Sequence, residues 1–426
     1  MIVLSMFVIL LLLLSINVPI AIGLAVTTII AMTLKNGTSF LIDTAIVMFD
    51  GSMNFPLIAI PLFILAGAIM NSSGISRRLI AFASALVGFI KGGLSMITIA
   101  ASMFFAEISG SAVADVAALG SILIPAMKKK GYPAPFAAAV CSSAASLAVI
   151  IPPSIPMILY AVMAQTSVVQ LFVAGIIPGI IGGLGMMFVS YLYAKKKNLP
   201  IEEKFNFATL RKTGREALLA FILPIVILGG IFGGFVTATE GAGLAVVSAL
   251  VIGFIYKELD FKKLFEATTE GGAQTAIVML LVASSVLIGE FLTVEQIPQK
   301  VAGSITDFTT NKYAILAILN VFLLIIGFFL HSAAAIILVI PIVMPLITAA
   351  GIDPVHFGII VTLNLAIGQQ TPPVASVLVT ACSVAKADIW QVSKTNIMFI
   401  FVLFIVLMLV TYVPIVPMSL VEFFYR

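Results

Sequence analysis

The chain has 426 residues, of which 62 % are hydrophobic and 9 % are charged, whereas an average soluble protein has about 25 % charged residues. So few charged side chains cannot cover the surface of a water-soluble protein of this length, which excludes a soluble enzyme, a secreted domain and a nucleic-acid-binding protein. The net charge of +4 matters through its placement, because basic residues near membrane spans collect in the cytoplasm. The composition therefore predicts an all-α polytopic membrane protein.

The first half of the chain contains apolar stretches long enough for several spans, since a spanning helix needs about 20 apolar residues. Residues 132–194 contain no Asp, Glu, Lys or Arg and are predicted to hold two spans. The predicted elements are spans at 2–16, 18–34 and 54–72, an amphipathic segment at 75–91, a long apolar region at 92–127, spans at 132–160 and 168–194, and a polar cytoplasmic linker at 195–216.

The second half is predicted to continue with spans at 217–237, 240–256 and 272–292, an amphipathic segment at 296–311, a long apolar region at 313–349, and spans at 354–384 and 397–421. This path places 18 of the 22 basic residues in the cytoplasm and leaves four outside: Lys35, Lys300, Lys312 and Arg426. That asymmetry follows the positive-inside rule and orients the chain.

The regions 92–127 and 313–349 do not fit as simple spans. A single helix of about 35 residues would be roughly 50 Å long, against a bilayer core of about 30 Å. Small or polar residues interrupt each region, at Ser109-Gly110-Ser111 and at His331-Ser332-Ala333. The charge-based topology requires each region to enter and leave on one side, so both are predicted to be re-entrant helical hairpins.

The two hairpin regions belong to a repeated unit. Four residues recur at a spacing of 220: Pro125, Gly131, Pro152 and Pro153 correspond to Pro345, Gly351, Pro372 and Pro373. The topology places the first amphipathic segment and hairpin inside and the second pair outside, so the two units are inverted. Inverted repeats with broken helices are an architecture of secondary transporters, which bind substrate and ions near the bilayer midplane.

Consecutive prolines interrupt both broken spans, at Pro152-Pro153 and at Pro372-Pro373. Each pair removes two amide donors and leaves carbonyls of the preceding turn without helical partners, which is costly in lipid. Two interpretations are open: a kinked helix repaired by neighbouring hydroxyls, or an unwound point whose carbonyls bind a cation. The serine-bearing hairpin tips favour the second, and sodium suits it because hard cations prefer oxygen ligands.

Asp115 is the main candidate among the charged residues, because it lies four residues after Ser111 and therefore on the same helical face. Carboxylates inside a membrane are costly and are candidates for function, and capping of a half-helix is the alternative. Glu107, Glu240 and Glu290 are weaker candidates. His331 is expected to donate a hydrogen bond rather than bind an ion.

Several absences from the sequence are informative. Neither hairpin nor broken span contains Lys or Arg, so an anionic substrate must be neutralised by bound cations, helix N-termini and hydroxyls. No Walker A motif occurs, and no HExxH, GxSxG or paired-aspartate metal motif is present. Neither ATP hydrolysis nor intramembrane catalysis is therefore predicted.

Over nearly its whole length the chain resembles the large membrane subunit, the DctM family, of tripartite ATP-independent periplasmic (TRAP) transporters. The most specific segments are Asn54 to Gly67, Glu107 to Asp115, Ile150 to Ser154 and Gly368 to Pro373. In its details the chain most resembles the sialic-acid type of these transporters.

The resemblance implies a sodium-driven elevator mechanism, in which a transport domain slides against a scaffold. The transport domain would comprise 92–160 and 313–384, each a hairpin with its broken helix. The scaffold would comprise 1–72, 168–194, 217–292 and 397–421, with 195–216 as a linker and with 75–91 and 296–311 as arms between the two domains.

The resemblance also implies site residues and partners. One sodium site would use Ser109, Ser111 and the break at Pro152; the other would use Gly327, Ser332 and the break at Thr371; Ser111, Asp115 and Ser154 would face the substrate. The substrate would be a small organic acid, sialic acid in the type named above, delivered by a periplasmic solute-binding protein. A separate small four-helix membrane subunit would pack on the scaffold, in the bacterial inner membrane.

Two alternatives come from different classes of protein. One is a membrane-embedded enzyme that acts on a lipid-linked substrate, and the other is a two-component sodium/dicarboxylate carrier that works without a binding protein. The two Pro-Pro breaks and the inverted hairpins argue against the enzyme. The lack of an Asn-Thr pair at the hairpin tips argues, less strongly, against the carrier.

Overall fold

The computed structural model describes residues 2–16, 18–37, 40–109, 111–202 and 204–425, and every regular element among them is helical. The helices up to the linker are α1 (Ile2–Ser15), α2 (Ile20–Asn36), α3 (Phe40–Ser52), α4 (Ala59–Ser72, after a 3-10 turn at Phe55–Ile58), α5 (Ile75–Val87), α6 (Gly93–Ser109), α7 (Ala112–Asp115), a π-helical turn (Val116–Gly120), α8 (Ser121–Lys129), α9 (Ala134–Ala145, followed by a 3-10 turn at Ser146–Val149), α10 (Ile155–Met163) and α11 (Val168–Lys196).

The remaining helices are α12 (Phe207–Glu216), α13 (Leu218–Phe232), α14 (Ala238–Ile255), α15 (Phe261–Val294), α16 (Ile297–Phe308), α17 (Lys312–Phe329), α18 (Ser332–Ala349), α19 (Pro354–Gly368), α20 (Ser376–Ala385), α21 (Ile389–Tyr412) and α22 (Ile415–Tyr425). Seven helical segments of the described chain are long and apolar enough to cross a bilayer, and the bent pair α12–α13, with 59° between its helices, raises the number to eight. The prediction of an all-α multi-pass membrane protein is confirmed.

The order of elements from α4 to α11 recurs from α15 to α21. In each unit a long helix leads into a short amphipathic helix, then a helix pair, a broken helix and a further long helix. Gly131 and Gly351, which are 220 residues apart, occupy the turn after the helix pair and have positive φ angles of 84° and 64°. Glycine is favoured at both positions because side chains with a Cβ rarely adopt this conformation.

The two ends of the first helix pair meet at one short segment of the linker. The amide of Gly92, just before α6, donates to the carbonyl of Pro200 at 3.1 Å. Tyr132, just after α8, donates its hydroxyl to the same carbonyl at 3.4 Å, and Lys130 forms an ion pair with Glu202 at 3.4 Å. The pair therefore starts and ends at one face of the molecule, which is the geometry that a re-entrant hairpin requires.

The two ends of the second helix pair also lie close together. Lys312 and Tyr313, at the start of α17, line a cavity of about 340 Å³ together with Gly351, Ile352 and Asp353, at the end of α18. We refer to α6–α8 as the first hairpin and to α17–α18 as the second hairpin.

The helices pack in two groups. In the first, which we call the scaffold group, α4 packs against α14 and α15, and α2 packs against α15. In the second, α9 packs against α20 and α21, α19 packs against α17 and α21, and α10 packs against α18. Helix α11 joins the second group through α6, where the buried hydroxyl of Ser190 donates to that of Ser95 at 2.7 Å.

Several helices differ from the sequence-based expectation. Helix α3 was not predicted, and it packs on α15 where Gly51 leaves room for the side chain of Val286. Helix α12 lies within the predicted polar linker, and Asn206 caps it by accepting from the amide of Ala208 at 2.9 Å. The predicted span 397–421 is divided between α21 and α22, because Pro414 has no amide hydrogen with which to continue the helix.

Candidate functional site

A cavity of about 800 Å³ lies between the tips of the two hairpins. Ser111 of the first tip and His331 and Ser332 of the second tip line it, together with residues of α4, α5, α15 and the start of α10. Among the described residues, the ionisable groups in its wall are His331 and Glu270, and neither Lys nor Arg lines it. The cavity is therefore large enough for a small organic molecule and lacks a basic side chain.

The first tip places a serine at the start of a helical segment. Ser111 has an extended backbone (φ −133°, ψ 113°), and its Oγ accepts from the amide of Ala114 at 3.5 Å. Helix α7 continues through a π-helical turn into α8, and π-helical turns occur frequently at functional sites. Asp115 ends α7 and is 1 % exposed.

The second tip has a similar design. His331 has an extended backbone (φ −63°, ψ 148°) and precedes α18, whose first residue, Ser332, is buried. The segments that begin at Ala112 and at Ser332 thus both start at the cavity. Helix N-termini carry partial positive charge and free amide donors, so the two tips can hold an anion without Lys or Arg.

The first break lies beside the first tip, because α7 packs against the 3-10 turn Ser146–Val149. The amides of Ile150 and Ile151 both donate to the carbonyl of Leu147, at 2.9 and 2.8 Å. Ser154 is fully buried, and its hydroxyl donates to the carbonyl of Val149 at 2.9 Å. The chain is therefore unwound around Pro152, with backbone oxygens close to the tip.

The second break is joined to the second hairpin by backbone contacts. Gly327 on α17 and Gly368 on α19 touch, since a Cβ added to Gly368 would lie 2.5 Å from the Cα of Gly327. The amide of Val374 donates to the carbonyl of Phe328 at 3.2 Å, and the amide of Thr371 donates to that of Gly368 at 2.9 Å. The bond from Val374 holds the unwound segment against the end of α17, and the bond from Thr371 shapes the segment itself.

One side-chain oxygen in the second break suits a cation. Oε1 of Gln369 is buried and has no hydrogen-bond donor among the residues that the structure describes. A buried acceptor without a donor costs about 1–3 kcal/mol, and an oxygen-binding cation would relieve that cost. Gln369 is therefore a residue that could hold an oxygen-binding cation at this break.

A buried polar cluster connects the two broken helices to α21. Ser143 Oγ lies 2.6 Å from both Gln370 Oε1 and Asn396 Oδ1. Gln370 Nε2 donates to Ser146 Oγ at 2.6 Å, and Asn396 Nδ2 donates to Gln370 Oε1 at 3.2 Å. All four side chains are fully buried. Sequence reasoning did not assign this cluster a role, although amide side chains inside spans were a signal for it.

The structure brings some of the predicted site residues together and separates others. Ser111 and Ser332 line the cavity, and Gly327 and Thr371 both contact Gly368. Asp115 and Ser154 are buried and lie outside the set of cavity-lining residues, with α7 packed against α9 and α20. Ser109 ends α6, and its side chain, like Gly110, lies outside the described part of the chain.

Two units with the same order of elements, whose hairpin tips share one cavity, define the class of this protein: a multi-pass membrane transporter. The chain belongs to the family described as the DctM component of the tripartite ATP-independent periplasmic transporter, whose model matches residues 7–416. The resemblance drawn from the sequence motifs is confirmed. The protein is a transport protein of the bacterial inner membrane and not an enzyme.

Three relatives illustrate the range of the family. The isethionate TRAP transporter permease protein DctMQ of Oleidesulfovibrio alaskensis is 43 % identical over 95 % of this chain, which spans 64 % of that relative's length. The C4-dicarboxylate TRAP transporter large permease protein DctM of Pseudomonas aeruginosa is 40 % identical, with 88 % of each chain covered. The sialic acid TRAP transporter large permease protein SiaM of Vibrio cholerae is 35 % identical, with 96 % of each covered.

A solved structure supports the fold. The crystal structure of the YdaH transporter of Alcanivorax borkumensis matches with a TM-score of 0.63 over 88 % of each chain, at 15 % sequence identity. At this identity the similarity shows the fold alone.

Proposed function

We propose that this chain is the subunit through which a TRAP transporter imports a small organic acid together with sodium. The observation that carries the proposal is the cavity shared by the two hairpin tips. Two helical N-termini reach it, and neither Lys nor Arg is among its described lining residues. Such a site favours an anion whose charge is balanced by bound cations and helix dipoles.

We infer from the placement of charge that the cavity extends toward the cytoplasmic side. It reaches Asn71, at the end of α4, and Glu270, near the start of α15. Both lie on the side of the molecule that carries the basic residues of 195–215 and 257–263, and basic residues mark the cytoplasmic side. In the proposed cycle this arrangement would be the state that releases substrate inward.

Sodium is the proposed coupling ion, and the two breaks are its proposed sites. Ser109 and Ser111 with the break at Pro152 would hold one ion. Gly327 and Ser332 with the break at Thr371 would hold the other, where the buried oxygen of Gln369 adds support. A bound sodium ion would supply the positive charge that the cavity wall lacks.

The solute is proposed as a small organic acid, with sialic acid as the candidate that the sequence resemblance favours. The relatives named for isethionate and for C4-dicarboxylates have higher identity to this chain than the relative named for sialic acid. These three compounds are therefore the first to test. The proposed partners are a periplasmic binding protein that delivers the solute and a small membrane subunit that packs on the scaffold group.

We infer an elevator movement in which the second helix group moves as a body. The cluster around Gln370 ties α21 to both broken helices, and the Ser190–Ser95 contact ties α11 to the first hairpin. These contacts favour placing α11 and α21 with the moving unit, whereas the sequence resemblance placed 168–194 and 397–421 in the scaffold.

Uptake into proteoliposomes tests the proposed function. The chain would be reconstituted with its small subunit, with and without the binding protein, and offered sialic acid, isethionate and succinate. We expect uptake of one solute that requires both an inward sodium gradient and the binding protein. Equal uptake in potassium buffer would contradict sodium coupling, and full uptake without the binding protein would favour the two-component carrier.

A further inference from the structure

Both arms begin with the same local design. Helix α5 follows Gly74, with a φ of 70°, and α16 follows Gln296, with a φ of 55°, 222 residues later. Arg78 and Lys300 lie four residues beyond these positions and are therefore also 222 apart. Arg78 donates to the carbonyl of Gly74 at 3.0 Å, and Lys300 donates to that of Glu295 at 3.0 Å. In each arm a basic side chain thus closes the turn that precedes the helix.

A carboxylate of the scaffold group holds the first arm. Glu258, in the loop between α14 and α15, forms ion pairs with Arg77 at 3.0 Å and with Arg78 at 2.8 Å. The side chains of Arg78 and Glu258 are 23 % and 24 % exposed, whereas that of Arg77 is 77 % exposed. Arg78 also stacks on the ring of Tyr256 at 3.7 Å. A Cβ on Gly74 would overlap the carboxylate of Glu258, so glycine lets this carboxylate approach the turn closely.

At the second arm an ion pair joins two helices of the scaffold group, and Lys300 of the arm bonds to the backbone carbonyl of the glutamate in that pair. Glu295, at the end of α15, forms an ion pair with Lys35 of α2. The hydrogen bond from Lys35 and the positive charges of Lys35 and Lys300 lower the pKa of the Glu295 carboxyl. Glu295 is therefore ionised at neutral pH, as an ion pair with Lys35 requires.

The rest of the first arm makes contacts of a different kind. Phe82 packs edge-on against Phe221 of α13, with ring centroids 5.0 Å apart, and lies 6.3 Å from the ring of Phe104 in the first hairpin. Apolar contacts are not directional and tolerate sliding. A carboxylate that binds two arginines, one of them stacked on an aromatic ring, fixes an orientation. The start of the arm is therefore held more specifically than its middle.

We propose that two clusters, the inner clamp (Arg78 and Glu258) and the outer clamp (Lys35, Glu295 and Lys300), fix the first turn of each arm to the scaffold throughout the transport cycle. Arg78 and Glu258 are then positioning residues for the movement, and Gly74 and Gln296 are the fixed ends about which the arms turn. This inference rests on the elevator mechanism proposed above.

A matched pair of variants tests the inner clamp. Arg78→Gln removes the half-buried partner of Glu258, and Arg77→Gln removes the exposed one. Arg78→Gln should lower the maximal uptake rate about fivefold at unchanged KM and Tm, while Arg77→Gln should stay near wild type. Equal rates for both variants would overturn the proposal, and so would a loss of rate that merely follows a lower Tm.

A covalent cross-link in place of the ion pair distinguishes a clamp that stays closed during transport from a clamp that must open. Arg77→Cys and Glu258→Cys would be combined on a Cys141→Ala/Cys382→Ala background and treated with a short bifunctional thiol reagent. The untreated variant should transport slowly, and cross-linking should restore the rate of the background. A cross-link that stops uptake would overturn the proposal, as would equal uptake before and after treatment. If the cysteine-free background itself shows no sodium-driven uptake of any solute, the proposed function fails and not the clamp.

Discussion

At the scale of single residues, the contact between Gly327 and Gly368 sets how closely α17 approaches the second break. Their backbones touch, and the carbonyl of the next residue, Phe328, accepts a hydrogen bond from the amide of Val374 in the unwound segment. Side chains at either position would push the hairpin away from the break. The proposed sodium site depends on that separation, because ion–oxygen distances tolerate little change.

Gly368→Ala should therefore disrupt both packing and coupling. We expect a loss of about 1–3 kcal/mol in stability, since an added methyl group has no space, together with a loss of the thermal protection that sodium gives the wild-type protein. Gly289→Ala is the control, because a Cβ there meets no atom within 4 Å. Thermal unfolding with and without sodium measures both effects, and an unchanged sodium response in Gly368→Ala would contradict the assignment.

Asp115 is a second test at this scale. Its carboxyl is buried behind the first tip rather than in the cavity wall. We predict that Asp115→Asn reduces uptake at least about tenfold, which corresponds to 1.36 kcal/mol, without unfolding the protein. The exposed Asp43→Asn serves as the control. Uptake at the wild-type level in a well-expressed Asp115→Asn variant would mean that the carboxylate has only a structural role.

At the scale of elements, the buried cluster around Gln370 links the two broken helices to each other. Without Gln370, the side chains of Ser146 and Asn396 would lose partners inside the protein. Gln370→Ala should destabilise the fold by about 1–3 kcal/mol, the usual cost of leaving a buried polar group unpaired. Gln391→Ala, at an exposed position on α21, should change the Tm little. Similar Tm values for both variants would show that the cluster does not hold the helices together.

At this scale, part of the structure could be predicted from the sequence and part could not. Two signals can be read directly from the sequence: the lengths of 92–127 and 313–349 compared with the bilayer thickness, and the 220-residue spacing of Pro152 and Pro372. These signals predicted the helix pairs and the breaks. The attachment of α11 and α21 depends on contacts between distant residues, such as Ser190 with Ser95 and Asn396 with Gln370. Periodicity carries no information about such pairs. Only the structure could therefore indicate whether α11 and α21 belong to the moving group or to the scaffold group.

The same limit applies to the site. Helical spacing placed Asp115 on the face of Ser111, whereas in the structure Ser111 lines the cavity and Asp115 is buried outside the set of lining residues. The prediction of two hairpin tips at one site needed only the inverted repeat. The orientation of each side chain at those tips depends on neighbours that the sequence does not identify.

At the scale of the whole molecule, the two helix groups differ in the way the proposed mechanism needs. Buried hydrogen bonds connect the second hairpin, both broken helices and α21, and another connects the first hairpin to α11. The arms α5 and α16, which begin at ion pairs, join these helices to the scaffold group along the chain, and α15 and α4 also pack directly on the hairpin helices α18 and α6. A body held this way can cross the bilayer while its hairpin tips and breaks stay together, whereas hinge closure would leave the site at constant depth.

The most direct test of the account is the membrane depth of the moving group in two states. A spin label at Val379 on α20 would report on the moving group and one at Val247 on α14 on the scaffold group, both at exposed positions. Depth would be measured in nanodiscs, without sodium and with sodium and solute. The account predicts that Val379 shifts by at least about 10 Å, or two helical turns, while Val247 stays in place. A shift of Val379 of only an ångström or two, with sodium-driven uptake intact, would contradict it.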